Sequence, residues 1–271
     1  MRVELADGVG LHVEELGEGP PLIVLHGGPG LDHTTFRPYL DPLSEDVRLL
    51  YMDERGQGRS ERVDPATLSL EVFAQDVDRL AEALGLDTFA LLGHSFGAIV
   101  ATFHAIELGT ADRYVISGGG DSSAALEADI EASLAALGDE GQAILESWER
   151  EQTVETDDDF AELMRAQWPF HFAGPVPEGY GEDTVFSPDV LRHFASAGYG
   201  AFDYVPDLRR IDRPVLVIVG EHDRTTTPRA ARVLAEGIAD SELAVLERAG
   251  HMSFAEAPGP YLAAVQSFLN R

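Results

Sequence analysis

The chain alternates short apolar runs with stretches whose apolar positions recur at helical spacing. PLIVL in 21–30 is a continuous apolar run that breaks into a Gly/Pro loop, the pattern of a strand buried on both faces. Segments 47–60, 113–120, 214–223 and 242–251 repeat the plan, each an apolar run followed by a polar or glycine-rich loop. In 70–85, Val72, Phe73, Val77, Leu80, Ala81 and Leu84 share one helical face, and the segment ends at a glycine suited to a C-cap. Segment 89–108 passes from an apolar strand through a tight turn into an apolar helix, and an amphipathic helix spans 258–269. Strands alternating with helices predict an α/β fold, with a mostly parallel sheet and helices on both faces.

One stretch breaks the alternation. From 119 to 205 no strand pattern occurs; 124–137, 142–152 and 158–168 read as helices joined by Pro- and Gly-rich loops. The expected organisation is a core of residues 1–118 and 206–271 with a helical cap or lid, 119–205, over an active site. The alternative is a peripheral helical subdomain. The insertion holds 19 acidic and 3 basic residues, a net of −16. Its run Asp157-Asp158-Asp159 suits a helix start, where carboxylates complement the dipole.

Composition narrows the chemistry. The 271 residues carry 48 Asp+Glu against 19 Lys+Arg, a net charge of −29; every basic residue is arginine, and there is no cysteine. No lysine means no Schiff base, pyridoxal phosphate anchor or Walker lysine, and no cysteine means no thiol nucleophile, disulfide or cysteine-held metal. The negative charge opposes nucleic acid and anionic membrane surfaces as partners. No run reaches the ~18 apolar residues of a membrane span, and the first ten residues lack the pattern of a signal peptide. A cytoplasmic protein is therefore expected. Salt adaptation and arginine-favouring, GC-rich coding are two competing sources of this composition.

Gly93-His94-Ser95-Phe96-Gly97 fits G-x-S-x-G between a strand and a helix, the setting of a nucleophile elbow. Flanking glycines are needed there because a side chain would strike neighbouring backbone, and the helix N-terminus favours developing negative charge. A serine nucleophile needs a base and an orienting carboxylate, following it in the order acid then histidine. Asp223 follows the strand PVLVIV and His251 follows ELAVLE, so both lie in loops at the sheet's carboxyl edge with Ser95. Ser95, Asp223 and His251 are the expected triad, with Glu221 or Asp203 as alternative acids. Without lysine, a Ser–Lys pair is excluded. The expected oxyanion donors are the N–H groups of Phe96 and Gly28, with Gly27 second, since the His26–Gly30 glycines let backbone approach substrate. His26 reads as an anchor of that loop; His12, His33, His104, His171 and His193 read as structural.

HGGPG, DERGQGRS (53–60), the serine elbow, GEHD and AGHMSFAEAP, in this order, resemble the α/β-hydrolase superfamily, and more narrowly the proline iminopeptidase family of serine aminopeptidases. The resemblance implies an α/β-hydrolase fold with a helical cap and an acyl-enzyme mechanism without metal or organic cofactor. The implied substrate is a small molecule or short peptide, neutral or cationic, that carries a free N-terminus. Cap carboxylates bind that amine in the family, one of them in a W-x-x-W-E segment. Leu145-Glu146-Ser147-Trp148-Glu149 retains the second Trp and the Glu, so Glu149 is the implied amine ligand. The alternative for Glu149 is one more charge on an acidic helix. Trp148 is the implied wall of an apolar pocket with Trp168, Phe170 and Phe172. The elbow here reads GHSFG, as in many esterases, which keeps a carboxylesterase or lactonase as the rival enzyme. A ligand receptor that keeps the fold and turns over poorly is the rival of another class.

Overall fold

The structure is a computed structural model describing residues 1–271, Gly198 by its backbone alone. Eight strands form one sheet in the order β1-β2-β4-β3-β5-β6-β7-β8. They are β1 (Arg2–Glu4), β2 (Gly10–Leu16), β3 (Pro21–Leu25), β4 (Arg48–Met52), β5 (Ala90–His94), β6 (Arg113–Ser117), β7 (Val215–Gly220) and β8 (Ser241–Leu246). From β4 to β8 every neighbour is parallel; β1 and β2 pair antiparallel at one edge. This N-terminal hairpin goes unpredicted by the hydrophobic pattern: β1 has three residues, two of them exposed.

The central strands are apolar over almost their whole length because both faces are covered. Ile23, Leu25, Leu50, Met52, Leu91, Tyr114, Ile116, Val215 and Val217 face one core, which α1 (Leu70–Ala83) and α2 (Phe96–Glu107) cover, helped by α7 (Pro228–Gly237). Their strand neighbours Leu22, Val24, Leu49, Tyr51, Leu92, Val115, Leu216 and Ile218 face a second core. There α8 (Ser253–Glu256) and α9 (Pro258–Leu269) pack.

Between β6 and β7 the chain forms α3 (Ser123–Leu137), α4 (Asp139–Glu149), α5 (Asp157–His171) and α6 (Pro188–Ser196). The first three match the expected helices to within a few residues; α6 was not anticipated. The Asp157–Asp159 run opens α5, and Thr156 with Asp159 forms a capping box there. Leu134, Ile144 and Phe170 make a small core of the insertion's own. Among the described residues no helix is long and apolar enough to cross a membrane.

The loop after β4, which lies against the site, is tied to α1 by an ion pair. Both Arg55 donors reach Asp76 at 2.6 Å, and Asp76 is fully buried. Arg79 adds a further bond to Asp76 at 2.8 Å. Arg55 also donates to the exposed Asp7 at 2.7 Å and keeps that partner, so Asp76→Ala is expected to lower the unfolding free energy by about 3 kcal/mol, the lower end for breaking a buried pair. A urea titration checks this; a loss near zero would show that the arginine re-solvates freely.

Candidate active site

β5 delivers Ser95 at its carboxyl end and α2 begins one residue later. Ser95 sits at φ 54°, ψ −116°, a conformation that L-residues avoid and that marks a held, strained turn. Its amide donates to the Ser117 carbonyl at 2.9 Å, and the Gly97 amide donates to the His26 carbonyl at 3.0 Å. A Cβ at Gly93 would lie 2.1 Å from the Gly97 carbonyl oxygen, and one at Gly97 would lie 2.5 Å from the Leu25 oxygen. Both contacts are backbone to backbone, so only glycine allows the turn to close.

That closeness brings the loop after β3 against the serine. A Cβ at Gly27 would lie 3.3 Å from the Ser95 Cβ. Neither the Phe96 nor the Gly28 amide has a hydrogen-bond partner among the described residues. His26 holds this loop. The Glu54 amide donates to His26 Nε2 at 3.2 Å, which leaves the proton on Nδ1 to donate to the Gly27 carbonyl at 2.7 Å. With its lone pair on Nε2, His26 is neutral, and the 3.8 Å approach of the Glu54 carboxylate is no ion pair. Gln57 bridges the same parts, accepting from the Gly30 amide and donating to Glu54.

Asp223 and His251 meet at the ends of β7 and β8. His251 Nδ1 donates to Asp223 Oδ2 at 2.8 Å, with both side chains buried. The remaining capacity of the carboxylate is taken by the Thr225 and Thr226 amides on Oδ1 and the Thr226 hydroxyl on Oδ2, each at 2.9 Å. Burial pushes the Asp223 carboxyl up, but the His251 charge and these bonds outweigh it and hold the group below its ordinary value. A Cβ at Gly118, next to the residue whose carbonyl takes the Ser95 amide, would lie 3.1 Å from His251 Cε1. Ser95, His251 and Asp223 thus gather at one sheet edge. Glu221 accepts from the Arg248 amide and is exposed, and Asp203 bridges to Ser122 in the insertion.

Two other imidazoles lie close to His251. The His94 ring is 4.8 Å away and the His171 ring 5.3 Å, centroid to centroid, tilted 41° and 39° from it. The insertion carries His171 to His251 across 80 residues of sequence, which no local pattern signals. Burial, followed by repulsion from His251, drives His94 well below its ordinary value and His171 down to about 3. His94, Thr226 and Glu256 were likewise not singled out as site residues, although all three lie within or next to the motifs that mark the site.

The aromatic residues of the insertion are packed. Trp148 lies edge-on to Phe170 at 5.1 Å, and Trp168 meets Tyr180 at 5.1 Å. Trp168, Phe170 and Phe172 are buried in these contacts, so their rings form core. Glu149 ends α4, exposed and without an ion pair among the described residues. Nearby Glu151 is buried, bonded by Gln167 at 2.9 Å and by Tyr199, and burial raises its carboxyl to about 7 despite those bonds.

His12, His33 and Asp53 have metal-ligating composition, with donor atoms within 4.8 Å of one another. The Asp53 oxygens are already engaged, Oδ1 by His33 Nδ1 at 2.6 Å and Oδ2 by the Arg59 amide at 2.8 Å. Burial pushes Asp53 up, yet His33 and the Arg59 amide bring it to about 2. The cluster braces the loop after β4.

Residues 22–265 match the alpha/beta hydrolase family. A proline iminopeptidase of Heyndrickxia coagulans is 29% identical over 95% of this chain and 93% of its own length. Among solved structures, a proline iminopeptidase of Mycobacterium smegmatis superposes with TM-score 0.80 at 24% identity, covering 100% of this chain and 97% of that one. An esterase of Exiguobacterium antarcticum gives TM-score 0.78 at 21% identity, covering 100% and 99%.

Glu54 behind the loop after β3 yields a pH test. Burial, assisted by the Asp76 and Asp53 charges and opposed by the Gln57 bond, raises its carboxyl from 4.5 to about 8, and Oε1 has no partner. The folded state therefore holds a proton that the unfolded chain releases above 4.5, so this group costs increasing stability as pH rises towards 8. Glu54→Gln removes that dependence. Its stability relative to wild type is expected to increase between pH 5 and pH 8, read by urea denaturation at both; an equal difference at the two pH values contradicts the assignment.

Proposed function

The chain belongs to the alpha/beta hydrolase family, and from that premise we propose a serine hydrolase working through an acyl-enzyme on small peptides or amides with a free N-terminus. The observation that carries the mechanism is the buried Asp223–His251 hydrogen bond at the sheet edge that presents Ser95. Asp223 keeps the His251 proton on Nδ1, so Nε2 is free to act as a base. The Ser95 hydroxyl attacks the carbonyl carbon as His251 takes its proton. The Phe96 and Gly28 amides, with Gly27 beside them, hold the oxyanion. Collapse breaks the acyl C–N bond, and the proton on His251 goes to the leaving amine. Water then attacks the ester, His251 takes its proton, and Ser95 is released with the acid product.

On this reading residues 119–205 are the cap, over a core of 1–118 and 206–271. Glu149 is the proposed partner of the substrate's ammonium group, with Trp148 and Trp168 shaping the insertion around it. The proline iminopeptidase relatives support this substrate class. The second reading is a carboxylesterase or lactonase, supported by the GHSFG elbow and by the structural likeness to an esterase.

Proline β-naphthylamide and p-nitrophenyl acetate, assayed in parallel, separate the two; faster turnover of the ester with none of the amide favours the esterase. Ser95→Ala and Asp223→Asn are each expected to lower kcat by about 10⁴ or more on whichever substrate is cleaved. Near-wild-type turnover by the serine variant would remove the acyl-enzyme mechanism. Glu149→Gln is expected to raise KM about tenfold for the proline substrate, the loss of one charge-assisted contact, and to leave the acetate unaffected. An unchanged KM would reject its role as amine ligand.

A further inference from the structure

The end of α5 is docked onto the loop that carries His251. The His171 carbonyl accepts the His251 amide at 2.8 Å and the Met252 amide at 3.3 Å. Glu256 clamps the two segments together: Oε1 accepts from the Ala173 and Gly174 amides at 2.9 Å each, and Oε2 from the Gly250 amide at 2.6 Å. The His171 side chain is fixed as well. Its Nδ1 bonds the Thr225 hydroxyl at 2.9 Å, and Trp168 and Phe170 stand edge-on to its ring. His94, also beside His251, is fixed by the Ser117 hydroxyl at 3.2 Å and by Phe254 edge-on at 5.0 Å.

We propose that His171 is a positioning residue: the insertion supplies one member of a cluster of three imidazoles, the outer two tilted 41° and 39° from His251, that limits the ring's rotation and keeps water from it. The proposal rests on His251 being the base. A proton-accepting ring must keep Nε2 aimed at the serine while Nδ1 stays on Asp223, and a misplacement of about 1 Å costs up to ~10²-fold in rate. The aspartate fixes one ring atom only; the His94 and His171 rings, 4.8 and 5.3 Å away, crowd the space into which His251 would rotate about that bond. His171 suits this role as a neutral ring. The titratable and charged groups around it are His251, Asp223 and His94, with Arg224 donating to the Pro169 carbonyl and Glu256 holding the next residues.

The test uses inactivation by a fluorophosphonate probe, which needs the nucleophile and base but no knowledge of the substrate. Wild type, Ser95→Ala, His171→Ala and His171→Phe are compared from pH 5 to 9, with thermal melts confirming folding. Ser95→Ala is expected not to label. His171→Ala is expected to label about tenfold more slowly, and its acid limb is expected to move to higher pH, because water admitted beside His251 stabilises the imidazolium. His171→Phe restores a flat apolar wall and is expected to recover most of the rate and the original limb. A folded His171→Ala protein with wild-type rate and limb overturns the proposal, as does a His171→Phe protein no better than the alanine variant. Labelling of Ser95→Ala at the wild-type rate, or none of wild type, overturns the acyl-enzyme reading instead and removes the base that His171 would position.

Discussion

The arrangement at the sheet edge depends on a backbone contact, the Gly97 amide on the His26 carbonyl. It forces the turn after β5 and the loop after β3 to within van der Waals distance, where no Cβ fits at Gly93 or Gly97. The contact fixes three things together. It holds Ser95 in an unfavoured conformation, whose cost of about 1–3 kcal/mol the surrounding packing must offset. It starts α2 one residue later, so that the first helical amide and dipole lie beside the serine. It also sets Gly27 against the serine Cβ. Ser95, the Phe96 amide and the glycine loop after β3 are thus held together, while Asp223 and His251 arrive independently on the loops after β7 and β8.

The electrostatics of the edge follow from burial. Inside, each ionisable group either has a full set of partners or is driven neutral. Asp223 has four donors and stays ionised; Asp53 has three and does likewise. Glu54 has a single donor for two oxygens and is pushed to the neutral acid. His94, His171 and His26 have neutral partners close by and lose their affinity for protons. Negative charge inside the fold is therefore confined to carboxylates with a full set of donors, and Asp223 is such a carboxylate beside His251.

The strand pattern and the residues Ser95, Asp223 and His251 were legible in the sequence because each depends on neighbours in the chain. An apolar run, a glycine pair around a serine and a polar loop after a strand are local signals, and parallel topology brings the loops to one edge. The β1–β2 hairpin and α6 were not legible, being short or placed by contacts with distant loops. His171 was legible only as a histidine: its partners Thr225 and His251 lie 54 and 80 residues away, and only the return of α5 to the sheet edge unites them. The aromatic segment around Trp168 suggested a pocket because exposed and buried rings look alike in a sequence, and packing against Tyr180 decided for burial.

The insertion joins the core through apolar packing, with Phe160, Leu163, Met164 and Leu191 in one core of the sheet and Val190 and Phe194 in the other, and polar contacts add further anchors. Asp121 and Asp129 bind Arg229 of α7; residues 171–174 bind the His251 loop; and Ser187 binds the Gly30 carbonyl and Arg62. The small Leu134–Ile144–Phe170 core joins α3, α4 and α5 to one another. Substitutions at the exposed end of α4, where Glu149 sits, thus leave these anchors intact, whereas changes near His171 reach the three imidazoles directly. The division follows from the contacts: the end of α4 has few ties to the rest of the chain, while the end of α5 is bound to the His251 loop.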